Sequence, residues 1–327
     1  MVSILLLGSF VYASPFYPKT MNREWSRRKV DRDLILPRGT MEMDVGISAK
    51  TATGYRDAAG KFQPYEDTIW RYNQLEVHYS HGFSSFIAMY MHIPWVFSVL
   101  QTADDGQIQT FALGDVKTGL VVLPWKGTMS QLAIGIELKS PSGVEWPADG
   151  RGGPMDVQGF LTGTGTTNLA IDLRYQTRPT SWYKTTITSG YNAKFRAVVG
   201  YVVEEDGFGN GKLDPGDEIW ANWTHLFQLI DALSVSINGN YSYRTQYLIG
   251  SSGEGLSWEN PSVLQPATRF VDVGGTMHYE PTQQVGISAS VHNQIYGSDT
   301  RLFSSLGLEE FSPQPGLTYG LSGVVRW

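Results

Sequence analysis

Leu233–Arg244 reads LSVSINGNYSYR. Leu233, Val235, Ile237, Tyr241 and Tyr243 occupy one parity; Ser234, Ser236, Asn238, Asn240, Ser242 and Arg244 occupy the other. Successive side chains of a strand point to opposite faces, so the segment reads as a strand with one apolar and one polar face. It is also long. Soluble strands average ~5–6 residues, whereas a tilted membrane-spanning strand needs ~9–11.

The same pattern recurs. Leu169, Ile171, Leu173 and Tyr175 alternate with Ala170, Asp172, Arg174 and Gln176. Leu132, Ile134, Ile136 and Leu138 are set against Gln131, Glu137 and Lys139, and Met41, Met43, Val45 and Ile47 against Glu42 and Asp44. The ending GLTYGLSGVVRW, Gly316–Trp327, places Tyr319, Leu321, Val325 and Trp327 on one parity. Strands are expected at 41–49, 69–80, 85–95, 110–124, 131–139, 168–176, 182–203, 217–229, 233–244, 268–280, 284–296 and 317–327.

The connections alternate in length. Short turns are expected near His81–Ser84, Lys126–Met129, Thr177–Thr180, Ile230–Ala232 and Pro281–Gln283. Longer loops are expected at 50–67, 97–109, 140–166, 204–216, 245–267 and 297–315. Short periplasmic turns, long extracellular loops and an even strand count describe an all-β, transmembrane antiparallel β-barrel of about twelve strands. A turn at Tyr191-Asn192 would raise the count to about fourteen.

Composition agrees. Of 327 residues, 41% are apolar and only 17% charged, with 36 Gly, 10 Trp and 17 Tyr, a mixture suited to a turn-rich β protein. The net charge of −6 gives no reason to expect nucleic acid. With no cysteine, disulfides and thiolate metal sites are excluded. Val2–Val11 is apolar but too short for a membrane helix, and Val11 and Ala13 suit a small-residue cleavage site, so Met1–Ala13 reads as a secretory signal. Residues 14–38 are polar and basic and read as a periplasmic or plug segment before a barrel of residues 39–327.

Tryptophan is expected to mark the two membrane interfaces, because its ring is amphipathic. Trp125, Trp182 and Trp327 fall at short-turn ends, joined by Tyr79, Tyr175, Tyr183 and Tyr279; Trp70, Trp95 and Trp220 fall toward long-loop ends. In lipid every backbone polar group must be paired, so the last strand must close against the first.

Several pieces carry a resemblance: LEVHYSHGFSSFIAMYMHIPW (Leu75–Trp95), FALGDVKTGLVVLPW (Phe111–Trp125), LAIGIELKSPSG (Leu132–Gly143) and PGDEIWANWTHLFQL (Pro215–Leu229). They are similar to the outer-membrane meta-pathway phenol-degradation family, barrels distantly similar to the long-chain fatty-acid transporters. The resemblance runs over most of the chain from Gly39 on. It implies passive uptake of small hydrophobic or aromatic solutes across the outer membrane of a Gram-negative-type bacterium. It also implies a C-terminal strand read by the barrel-assembly machinery, and an N-terminal segment used as a hatch.

The polar parity points to a lumen lined by Glu42, Asp44, Lys117, Glu137, Lys139, Asp172, Arg174, Lys184, Arg196, Asn238, Asn240, Arg244 and Asp272. His278 and His292 share that parity on neighbouring strands. Mixed charge argues against a pore selective for one sign of ion. Phe86, Ala88, Tyr90 and Tyr72 are candidate apolar walls.

Glu205–Glu218, EDGFGNGKLDPGDE, resembles a calcium loop: Asp206, Asn210, Asp214 and Asp217 supply oxygens and Gly211 allows the bend. Phe208 stands where a further ligand belongs. The calcium reading is thus one structural site in an extracellular loop. No other cofactor is indicated. His78, Ser80, His81 and Ser84 cluster near a turn, but no elbow motif surrounds a serine, so no enzyme is expected. A small-solute channel is the leading reading; a general diffusion porin, a lipase- or protease-like barrel and a structural barrel are the alternatives.

Overall fold

A computed structural model of the protein describes residues 26–52, 54–57, 59–64, 69–102, 106–143, 166–203, 207–251, 257–265, 267–298 and 316–327. The signal reading of Met1–Ala13, residues 14–25 and Asp206 lie outside them.

The described segments form nineteen strands and one helical turn. The first strands are β1 (Met41–Ala52), β2 (Gly54–Arg56), β3 (Phe62–Pro64), β4 (Ile69–Gly82), β5 (Ile87–Thr102), β6 (Gly106–Leu113), β7 (Val116–Lys126), β8 (Ser130–Ser140), β9 (Asn168–Thr180) and β10 (Tyr183–Lys194). Then come β11 (Ala197–Val203), β12 (Gly207–Asp214), β13 (Glu218–Ile230), β14 (Leu233–Arg244), β15 (Tyr247–Ser251), β16 (Ser257–Gln265), β17 (Thr268–Tyr279), β18 (Val285–Ser298) and β19 (Leu317–Arg326).

Thirteen strands share one closed antiparallel sheet, and β4–β5 pairing completes the ring. β6 pairs with the upper half of β5 and β7 with its lower half, so the two are one interrupted stave and the barrel has twelve. The interruption has a local cause. Pro94 of β5 has no N–H to give the neighbouring strand, and opposite it the ladder breaks at Gly114-Asp115. Only the Pro94 carbonyl is used, accepting from the Gly114 amide at 2.8 Å. Asp115, freed from the ladder, accepts from Lys139 at 2.6 Å.

The ends of the ring meet. β1 runs antiparallel to β19 with Glu42 opposite Arg326. The Met41 amide donates to the Trp327 carbonyl at 2.8 Å and the Trp327 amide returns to Met41 at 3.0 Å. Closure leaves no free edge at the seam between the first and last strands, as lipid requires.

The chain is inside-out relative to a soluble β-sandwich. Exposed side chains include Ile47, Leu120, Ile134, Ile136, Ile171, Leu173, Ile187, Ile237, Ile287 and Leu321. Buried ones include Gln131, Lys139, Asp172, Gln176, Lys184, Gln228, Ser234, Ser236, Glu280 and Arg326. An apolar outside and a polar inside suit a hydrocarbon solvent.

Stave 182–203 is shorter than expected. Tyr191 and Asn192 are paired on both sides within β10, so no turn divides it and fourteen strands do not arise. β10 ends at Lys194. β11, β12, β15 and β16 make a separate four-stranded sheet at the long-loop end.

Candidate functional site

At the short-turn end, residues 26–38 enter the barrel. Lys29–Asp31 form a single 3₁₀ turn, too short to hold itself together. The barrel wall holds it. The Val30 amide donates to Gln228 Oε1 at 3.2 Å, and the Leu34 amide to Gln131 Oε1 at 2.8 Å. Lys184 Nζ donates to the Lys29 carbonyl at 2.6 Å and to the Arg32 carbonyl at 3.2 Å; Gln176 reaches the latter at 3.0 Å. These wall residues come from β8, β9, β10 and β13, so the segment is tied across much of the ring.

Charge completes the anchorage. Arg32 meets Glu280 through both guanidinium nitrogens, Nη1 at 2.8 Å from Oε1 and Nη2 on Oε2. Glu280 also faces Arg326, 3.3 Å away, and Lys29, 3.9 Å away; Arg326 in turn pairs with Glu42. Asp31 accepts from Arg178 at 2.5 Å, and Asp33 is held by Lys126 and Gln131. Burial holds the Lys29 ammonium down at about 8, helped by the positive charge of Arg32 and Arg326 and opposed by Glu42 and Asp44.

The apolar end of the segment is packed as well. Ile35 forms a buried cluster with Ala88, Val121, Leu123 and Ala133, with Leu34 and Tyr90 against it. Ala88 and Tyr90 therefore do line the inside, but Ala88 is covered by this chain's own Ile35. Phe86 is about half exposed, outside the cluster, and Tyr72 donates to Gln74 at 3.3 Å.

Between the segment and the wall lies a cavity of about 530 Å³. Leu34, Ile35 and Leu36 form part of its lining, together with Glu42, Asp44, His78, Tyr90, Glu137 and Arg174 from the wall. Tyr90 donates to Glu137 at 2.9 Å, and Arg174, fixed by Asp172 at 2.5 and 3.0 Å, lies 5.8 Å from the Tyr90 ring centre. Gly119 permits this: a Cβ there would collide with the Tyr90 ring. The cavity thus combines a few apolar side chains, among them Leu34, Ile35 and Leu36, and the Tyr90 ring with a largely polar lining of mixed charge that includes Lys29, Arg32 and Asp33 of the same segment.

Lys117 lies 3.9 Å from Glu137, Arg244 3.6 Å from Glu218, and Asp272 accepts from Asn240 at 3.5 Å. Asn238 donates to Thr276 at 3.0 Å. His278 and His292 do not meet: His278 contacts Lys29 and Ser288 near the inserted segment, whereas His292 stands opposite Gly274. Arg196 corrects the expectation. It lies past the end of β10, mostly exposed, paired with Asp214 at 2.8 Å.

Trp220 also corrects it. It shares its parity with Glu218 and Leu226, and a Cβ on Gly190 would come within 2.7 Å of its ring. Trp220 therefore faces the lumen, and Trp223, not anticipated, covers Gly239 on the lipid parity. Trp125 and Trp182 are exposed at the short-turn end, and Trp95 stands opposite Leu75 and Leu113 on the lipid parity. The Trp70 backbone pairs with Ala52 and Leu100.

Of the calcium-loop positions, Asn210 lies in β12 opposite Gly200. Asp217 accepts from Tyr191 and from the Lys194 amide at 3.0 Å, and Asp214 holds Arg196. Ser84 caps its turn, accepting from the Ile87 amide at 3.0 Å, and His81 packs edge-on to Phe83. One constellation went unforeseen: Glu76, His78 and His92 face one another in the wall. The β4–β5 register, which sets His78 opposite His92, brings them together.

No family model matches the sequence, and no curated protein matches it. Among solved structures, the chain is similar to the COG4313 outer membrane channel from Pseudomonas putida F1, at 10% identity and a TM-score of 0.61, covering 89% of this chain and 97% of that one. It is also similar to the TodX monoaromatic hydrocarbon channel, as a deltaS2 mutant, at 8% identity and a TM-score of 0.50, covering 89% and 90%. At these identities the likeness is one of fold.

Proposed function

We propose that the protein is an outer-membrane channel for passive uptake of small solutes, with its periplasmic mouth closed by residues 26–38. What carries this reading is the inserted segment, which fills the mouth and is tied to the wall by Arg32–Glu280. A purely structural barrel would have no use for a cavity beside such a stopper. The cavity of about 530 Å³ lies within the ~300–1,000 Å³ usual for small-molecule sites. Its Leu34, Ile35 and Leu36 side chains and its Tyr90 ring suit a small aromatic solute, and its mixed charges suit polar substituents on that ring. One of the similar structures is a monoaromatic hydrocarbon channel, which accords with this choice. The polar walls support a general diffusion pore as the second reading. Residues 317–327 serve, in the same reading, as the strand presented to the barrel-assembly machinery.

Conductance in planar bilayers tests this. Refolded protein and a form lacking residues 14–38 are compared. Silence that becomes conductance on truncation is expected, with block by an added aromatic solute. Large steady steps from the intact chain would overturn the closed mouth; silence from both would overturn the channel.

A further inference from the structure

We infer that Glu76, His78 and His92 form a binding site for one zinc-class divalent cation in the lumen wall. Glu76 Oε2 lies 3.1 Å from His78 Nε2 and 3.7 Å from His92 Nε2, and all three ligand atoms fall within 4.8 Å of one another. Tetrahedral ligands at ~2.0–2.1 Å from zinc are about 3.3–3.4 Å apart, so the present spacing brackets what a metal needs. Two imidazoles and a carboxylate are a donor set suited to zinc, copper or nickel, and leave one position open.

A second observation points the same way. The buried Nε2 of His92 has no hydrogen-bond partner among the described residues. A metal would supply one. The surroundings are compatible. Asp44, opposite His78, adds negative charge. Lys117, opposite His92, opposes a cation, but its ammonium lies 3.9 Å from Glu137, which draws it away. The two imidazole rings now stack at 4.1 Å and 6°. Convergence on a metal requires them to tilt, a rotation about a soft sp³–sp² torsion. His78 is nearly half exposed, so an ion can enter from the lumen.

The test is calorimetric titration of zinc into the refolded full-length protein in detergent, with cobalt absorption as a second probe. One saturable equivalent is expected, with the intense visible bands of tetrahedral cobalt. Losing even an outer partner of a metal ligand costs about 10–100-fold in affinity, so His78→Ala and His92→Ala should each weaken binding by at least that. His225→Ala and His292→Ala should leave it unchanged. The chain has no cysteine and only six histidines, so few other groups compete. If the His92 variants do not refold, X-ray absorption of the zinc-loaded unaltered protein decides: two imidazoles and an oxygen are expected. Absence of 1:1 binding, binding retained by a variant carrying both His78→Ala and His92→Ala, or a site without two imidazoles would overturn the proposal. Binding is read without transport, so it is judged separately from the channel reading.

Discussion

Arg32 and Glu280, 248 residues apart, form a two-point ion pair with both side chains less than a tenth exposed. The pair joins the inserted segment to the last residue before the turn between β17 and β18. A carboxylate held by a guanidinium fork is among the stronger polar contacts a protein can make.

Removing Arg32 should therefore open the mouth without dismantling the barrel. Breaking a buried pair costs ~3–5 kcal/mol when the other charge is stranded. Here Arg326 and Lys29 remain beside Glu280, so Arg32→Ala should cost the docked state about 2 kcal/mol, a roughly thirtyfold rise in open probability. Planar-bilayer recording of Arg32→Ala, with heat-modifiability as the check on folding, measures it. Unchanged silence would mean that the segment is not a stopper.

Docking should depend on pH through Lys29. Its docked pKa is about 8, against an ordinary value of 10.5. The lowered value means that the charged form is penalised in the docked state, where Glu280 and His278 face it alongside Arg32 and Arg326. The penalty is present below about pH 8 and is lifted as pH rises to the ordinary lysine value, so docking tightens across that window, by at most ~3 kcal/mol. Open probability should fall as pH is raised from 8 to 10 and lose this dependence in Lys29→Met; an equal slope in both would count against the assignment.

Parity along β14 predicts opposite outcomes at neighbouring positions. Ile237 is 49% exposed on the lipid side, and Asn238 faces the lumen. Ile237→Arg should destabilise the barrel by about 2–4 kcal/mol, as charge near the bilayer midplane does. Asn238→Arg should cost far less. Urea unfolding in lipid vesicles compares the two; equal losses would put the lipid face elsewhere.

The break in the stave gives a fourth prediction. Asp115 and Lys139 are both about 8% exposed, so Lys139→Met takes the ammonium away from a buried carboxylate that keeps a neutral partner in the Gly143 amide, 3.1 Å away. A loss of roughly 2–3 kcal/mol is expected in the same unfolding assay, below the ~3–5 kcal/mol of a fully stranded charge. A loss below about 1 kcal/mol would place the pair in the range of an exposed one.

Strand positions were legible because a strand's two faces alternate residue by residue, so the lipid and lumen sides print themselves as a period of two. β14 coincides with Leu233–Arg244 as read. Trp220 was misplaced because height along the strand was weighed and parity was not; Glu218 and Asn222 at alternate positions already put it inside. The outer end of stave 182–203 was overextended because apolar residues continue past Lys194 into a sheet that has left the membrane.

The sequence by itself determined the barrel and about twelve staves, since these follow from local alternation and turn length. It left the segment before the first strand between periplasm and lumen, and it did not connect His78 with His92. The contacts of that segment with the wall and the meeting of the two histidines belong to tertiary structure. The register of the β4–β5 hairpin brings His92 to His78, whereas Glu280 reaches Arg32 only through closure of the whole ring, and no local pattern encodes a contact that depends on every stave between.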